Sequence, residues 1–231
     1  MIAYWLLAAR LKTLPVSMAP IIFALVLSRS LETFNGIVAG LTVFTALLIQ
    51  IGTNFANDYY DYCKGADTTD RVGPMRMSKH KIQPSLMKQA FQMMFIVAAI
   101  SLIYLTYYGG WPIFLIGVSA IICGVLYTCG PYALAYIGGA EFIAFIFFGP
   151  ISVLGTYYLQ GFIWRMDLLY IGAAFGCISS ALLVVNNTRD IATDKKVNKK
   201  TFSVRFGRLF SYLEYIFLLY CPIFLLNALH I

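Results

Sequence analysis

Charge is scarce in this chain, and acid scarcer still. Only 12% of its 231 residues are Asp, Glu, Lys or Arg, and just ten are acidic. A soluble domain carries about 25% charged residues, so half that share excludes an ordinary water-facing surface. Histidine is down to two, His80 and His230, far apart in the chain, which argues against a histidine-based metal site. The five cysteines (Cys63, Cys123, Cys129, Cys177 and Cys221) have neither metal-ligand spacing nor the look of a disulfide framework. They read as small hydrophobes. No zinc-finger or RNA-binding signature accompanies the formal charge of +7, so nucleic acid is not the expected partner.

Apolar residues fill the space instead, at 60% of the chain. A helix needs about 20 of them to span a hydrocarbon core of roughly 30 Å. Seven such stretches are legible, at about 14–30, 36–56, 89–108, 111–129, 138–160, 167–187 and 209–228. The opening MIAYWLLAARLKTLP lacks a small-residue cleavage site after a short apolar core, so it is not read as a removable signal. The expected fold is an all-α multi-pass transmembrane bundle, a single integral-membrane domain over 1–231.

The bases orient it. Thirteen of the seventeen Lys and Arg residues lie in two segments, Lys64 to Lys88 and Arg189 to Arg208. Four crossings separate these segments, so both fall on one face, and short basic loops stay cytoplasmic. Arg10 and Lys12 put the N-terminus on the same side, and the protein in the cell membrane.

The acids follow the bases. NFANDYYDYCKGADTTDRVGPMR packs Asp58, Asp61, Asp67 and Asp70 into thirteen positions, and NNTRDIATDKKVNKKT carries Asp190 and Asp194. These acid-rich loops run over about 57–88 and 187–208, each starting where a long apolar helix ends. Asp58 and Asp61 are three apart and Asp190 and Asp194 four apart, so each pair projects from one helical face, which Asn54 shares with Asp58. Carboxylates beside a membrane are costly, and their default reading is functional. One such cluster reads equally well as a solvated loop balancing its own lysines. Two at equivalent ends of the second and sixth helices, each with Asn before Asp, suggest a pseudo-repeat closing around one cavity. Hard carboxylate oxygens without sulfur or imidazole select Mg²⁺, which bridges to substrate phosphates. Carboxylates, cations and an apolar tunnel together describe a site for a lipid diphosphate.

NDYYDYCKGAD with RVGPMR, and NNTRDIATDKKVNKKTFSVRFG, resemble the two Asp-rich motifs of the UbiA superfamily of intramembrane aromatic prenyltransferases. RLKTLP, YTCGPYALAYIGGAEFIAFIFFGPISVLGTYYL and GPMR resemble its naphthoate-prenylating branch, over about residues 10–210. The resemblance implies a helical bundle, seven helices here against the family's usual nine, with Mg²⁺ as cofactor. It also implies a polyprenyl diphosphate donor and a 1,4-dihydroxy-2-naphthoate acceptor that loses its carboxylate as CO₂. On it, Asp58, Asp61, Asp190 and Asp194 are expected to be catalytic, and with Asp67 to hold the metal. Asn54, Lys64, Arg71, Arg76, Tyr127, Asn187, Arg189 and Lys199 are expected to bind substrate. Asp67 leaves the Asp58 face, so the chain has to turn after Gly65. Tyr59, Tyr60, Tyr62 and Tyr127 are candidate walls for an allylic cation, and Lys12 a candidate for the same mouth. Glu141 reads either as an acceptor or as a first-turn acid. One departure stands out: Asn198 precedes Lys199 where the family usually has glycine. A sister prenyltransferase with another aromatic acceptor such as 4-hydroxybenzoate is the alternative. From a different class, a cation-coupled transporter would hold its ionisable groups near the bilayer midplane.

Overall fold

The computed structural model describes residues 2–67, 82–131 and 133–229. These form helices joined by turns, without a strand among the described residues: α1 (Ile2–Ala8), α2 (Leu14–Ser28), α3 (Gly36–Cys63), α4 (Pro84–Gly109), α5 (Trp111–Leu126), α6 (Leu134–Ile137), α7 (Ala140–Phe147), α8 (Pro150–Gly161), α9 (Asp167–Arg189), α10 (Ile191–Lys196) and α11 (Phe202–Asn227). The all-α multi-pass bundle expected from the apolar runs is what the chain forms. Five spans are long and apolar enough to cross a membrane: α3, α4, α7 with α8, α9 and α11. The other two expected spans are the shorter apolar helices α2 and α5, of 15 and 16 residues.

Several boundaries differ from the apolar runs, each for a backbone reason. The second span does not stop at 56. Asn35 caps α3 by accepting from Ile37 N and Val38 N, and the helix continues through the polar residues to Cys63. Asp58 and Asp61 are therefore helical, buried in the last turns rather than carried on a loop. Just past the C-cap Lys64, Gly65 has a left-handed φ of +69°, and Ala66 N donates to Asp61 O; that is the turn Asp67 requires. The span expected at 138–160 is broken at Gly149, because Pro150 opens α8 and cannot extend a helix arriving from α7. The last span begins earlier, at Phe202, and kinks at Gly207. Helices α1, α6 and α10 fall outside the seven runs.

The break at Gly149 is also a point of close backbone approach. α7, α8 and α11 pack on α9, α2 packs on α8, and α3 packs on α4. A Cβ at Gly149 would stand 2.4 Å from Phe145 O and 2.6 Å from Gly172 O. One at Gly176 would stand 2.5 Å from Phe145 O. Gly172 and Gly176 form a small-xxx-small stripe that lets α9 touch the α7–α8 backbone, the way helices associate where lipid gives them no hydrophobic reason to. On the far side, Phe55, Met87, Phe91 and Phe95 clasp α3 to α4, and the Trp5 ring meets Phe55 edge-on at 5.4 Å to hold α1 against α3.

Candidate active site

The two acid-bearing helix ends meet around one cavity of about 880 Å³. From α3 it is lined by Asn54, Asn57 and Asp58, and from α9 by Asn186, Asn187, Arg189 and Asp190. Arg10, Lys12, Tyr127 and Lys199 complete its polar end. From there it runs between apolar walls, past Gly117, Gly124 and Gly155, to Leu102, Leu105, Ile113 and Leu159 near the opposite ends of α4, α5 and α8. The cavity is thus polar at one end and greasy for the rest of its length.

Helical rotation decides which side chains reach it. Asn54, Asn57, Asp58 and Asp61 share one side of α3, while Tyr59 and Tyr60 turn away and pack on each other and on Phe91 at centroid distances of 5.1–5.9 Å. Those tyrosines belong to the α3–α4 core and Tyr62 is exposed, so of the four proposed aromatic walls only Tyr127 lines the cavity. The first acid of each pair, Asp58 or Asp190, also lines it; Asp61, Asp67 and Asp194 are buried outside the lining. Asp61 accepts from Tyr136 Oη at 2.9 Å and Asp194 faces Lys199 Nζ at 3.6 Å.

Each lining carboxylate carries an arginine. Arg10 Nη2 donates to Asp58 Oδ1 at 2.6 Å and also to Asn57 Oδ1. Arg189 grips Asp190 with Nε at 2.8 Å and Nη2 at 3.0 Å. Arg10 sits at a φ of 55°, the left-handed region that is sparse for a bulky residue. The turn is held by Asn54, whose Nδ2 donates to Ala9 O at 3.0 Å. Asn187 Nδ2 likewise donates to Glu141 Oε1 at 2.6 Å.

The connection between α5 and α7 ties both acid segments together. Lys64 Nζ donates to Thr128 O at 2.7 Å and Gly130 O at 3.0 Å and lies 4.1 Å from the Tyr136 ring centroid. Lys199 Nζ lies 5.6 Å from the same ring, and Lys200 N donates to Tyr136 O. Burial pushes the Lys64 ammonium down from the ordinary lysine value, with nearby Asp61 acting in the opposite sense. Lys64 is thereby spent on this connection and does not line the cavity. Asn198 takes a φ of 54°, the conformation a glycine would favour. Asparagine is the side chain that best tolerates it, so the departure from glycine keeps the turn and presents Lys199.

Arg10, Asn57, Asn186 and Tyr136 were not singled out from sequence as site residues. Asn57 and Asn186 were legible as the other amide of each motif, beside Asn54 and Asn187, and Arg10 as the cation of RLKTLP. Arg71 and Arg76 lie outside the described residues. Among the described residues no three Asp, Glu, His or Cys side chains converge as a preformed metal cage. That fits Mg²⁺, which takes one or two carboxylates and completes its shell with water and substrate phosphate. The donors at the cavity, Asp58 and Asp190 with their amide neighbours, are all hard oxygens.

Fold and cavity together define a helical bundle of membrane-spanning length, with a cavity that is charged at one end and apolar along the rest. Residues 17–231 match the UbiA prenyltransferase family, and the chain belongs to that family. It is 36% identical over 212 residues to the 1,4-dihydroxy-2-naphthoate octaprenyltransferase of Haemophilus influenzae, an alignment spanning 88% of this chain and 69% of that protein. The enzyme of the same name from Mycobacterium tuberculosis is 37% identical over 211 residues, spanning 89% of this chain and 70% of that one. In fold the chain is similar to a UbiA homolog from Archaeoglobus fulgidus solved with DMAPP and Mg²⁺, with a TM-score of 0.77 at 15% identity, covering 97% of this chain and 77% of that one.

Proposed function

We propose that this protein transfers a polyprenyl group from polyprenyl diphosphate to 1,4-dihydroxy-2-naphthoate, releasing diphosphate and CO₂ and giving demethylmenaquinol, a step of menaquinone biosynthesis. The observation that carries the reading is the single cavity joining Asp58 and Asp190 at one end to an apolar tunnel at the other. The naphthoate acceptor rests on the names of the relatives it is similar to.

In this reading Asp58 and Asp190 would hold Mg²⁺, with the side-chain amides of Asn54 and Asn187 beside them and Asp61, Asp67 and Asp194 as buried anions behind them. When bound, the metal neutralises charge growing on the diphosphate as the allylic C–O bond breaks. Arg10 and Arg189 hold the two carboxylates in place until ligand arrives and then offer planar N–H forks to phosphate or carboxylate oxygens. Lys12 and Lys199 add positive potential at the same end. The Tyr127 ring offers a π face to the allylic cation, and the apolar walls keep water from capturing it. The electron-rich naphthoate carbon attacks that cation, and loss of CO₂ restores the aromatic ring. The excess of Lys and Arg in the two acid-rich segments supports a cytoplasmic side for this end of the cavity in the cell membrane.

The test is charge removal at fixed size. Asp58→Asn and Asp190→Asn are each expected to abolish Mg²⁺-dependent diphosphate release while leaving membrane insertion intact. Near-parental turnover in both variants would remove the shared site.

A further inference from the structure

Glu141 is the buried acid that the reaction leaves unused. It stands in the first turn of α7 and is 4% exposed. Its carboxylate meets its own main chain, as a first-turn acid does, and also reaches across to α9. Its Oε1 takes the Asn187 amide, and its main-chain carbonyl accepts from Ser180 Oγ at 2.8 Å. Ser180 and Asn187 are two helical turns apart, so Glu141 meets one stripe of α9 at two levels. Glu141 Oε2 is buried without a hydrogen-bond partner. Among the described residues, Lys199 and Glu214 are ionisable groups within its electrostatic reach. Packing α7 on α9 needs no carboxylate here, since the glycine stripe already provides the contact. An acid kept in such surroundings is costly and calls for a task.

The task follows from the two ends of an amide. The NH₂ of Asn187 would suit a phosphate oxygen, and its Oδ1 would suit a cation. Glu141 takes one hydrogen of the NH₂ and so holds that edge of the amide toward α7, and Asn187 lines the cavity one helical turn before Asp190. We infer that Glu141 is a positioning residue that fixes Asn187 with Oδ1 turned into the cavity as an oxygen donor to the divalent cation, not as a donor to phosphate. The other half of the pseudo-repeat is arranged alike: Asn54, one turn before Asp58, has its NH₂ taken by Ala9 O. In both halves an oxygen of the protein takes one amide hydrogen and so fixes the plane of the group. The inference rests on the metal-diphosphate reading of the cavity.

Direct binding of Mn²⁺ tests it without turnover. Purified full-length protein with inorganic diphosphate present is titrated with Mn²⁺ and read by electron paramagnetic resonance. Glu141→Leu is expected to weaken affinity roughly tenfold to a hundredfold, the usual effect of removing a partner that orients a ligand. Asn187→Ala should do the same, and the double variant should bind no worse than either single one. Glu141→Gln keeps an acceptor oxygen and should recover most of the affinity lost in Glu141→Leu. Parental affinity in Glu141→Leu, or losses that add in the double variant, would overturn the inference. Should Glu141→Leu not fold, Glu141→Gln decides against Asn187→Ala: retained affinity in the first and loss in the second supports the assignment, and any other pairing overturns it. Asp190→Asn runs in parallel. If it leaves affinity unchanged the site reading itself is at fault; if it weakens binding while Glu141→Leu does not, only the positioning role fails.

Discussion

A methyl group placed far from the chemistry should disable it. Gly176 lies in the α9 stripe that touches the α7–α8 break, and a Cβ there would meet Phe145 O at 2.5 Å, Phe145 Cδ2 at 2.9 Å and Phe145 C at 3.2 Å. Ordinary contact begins near 3.4 Å, so α9 has to withdraw by about 0.9 Å, an overpacking that costs about 1–3 kcal/mol. Asp190 follows fourteen residues later, roughly 21 Å along the axis, and α9 also carries Asn187 and Arg189. A misplacement of about 1 Å at reacting groups costs on the order of 10²-fold in rate. We therefore expect Gly176→Ala to fold and to lose about that factor in prenyl transfer, measured in membranes normalised for protein content. Gly40→Ala is the control: it lies within α3 with nothing within 4 Å of its would-be Cβ, and the better helix propensity of alanine is worth about 1 kcal/mol in its favour. Gly176→Ala with the activity of Gly40→Ala would refute the idea that this crossing sets the position of the α9 acids.

Other outcomes follow from the same contacts. Asn198→Gly should be neutral or slightly stabilising and Asn198→Ala should cost about 1–2 kcal/mol in thermal unfolding, because the residue is left-handed. Tyr136→Phe keeps the ring beside Lys64 and Lys199 but strips the donor from Asp61, a loss of about 1.5–3 kcal/mol for a bond to a charged group, readable as a lower unfolding temperature. Lys64 has its ammonium pushed down by burial, so at alkaline pH the unfolded chain holds this proton when the folded one has lost it. Its contribution to stability therefore rises with pH across that window, a slope that Lys64→Met should remove from unfolding measured against pH. A cysteine-accessibility map on a cysteine-free background should place residues 64–88 and 189–208 on one face, the cytoplasmic one. Opposite faces would contradict a shared site.

Much of this was written locally in the chain. The bilayer imposes a length on apolar runs and a penalty on charge, so the spans, and the acids gathered at the ends of two of them, stood out without any knowledge of contacts. What stayed hidden depends on rotation, backbone and distance. The run across 138–160 looks continuous to a hydropathy count, which does not see that Gly149-Pro150 breaks a helix. Spacings of three and four put Asp58 with Asp61 and Asp190 with Asp194 on common faces, but a face is wide enough to be shared between a cavity and a neighbour. Asp61 consequently meets Tyr136 and Asp194 meets Lys199. Tyr59 and Tyr60 sit beside the acids in sequence and on the α4 side in space. Arg10 reaches Asp58 from 48 positions away, and no local pattern announces that pairing.

The central claim is one reaction with one acceptor. Membranes containing this chain are incubated with Mg²⁺ and labelled prenyl diphosphate, with 1,4-dihydroxy-2-naphthoate and 4-hydroxybenzoate supplied in separate reactions. Labelled prenylated product accompanied by CO₂ from the naphthoate alone is the predicted result. Preference for 4-hydroxybenzoate, or no product with either acceptor from folded protein, would contradict it.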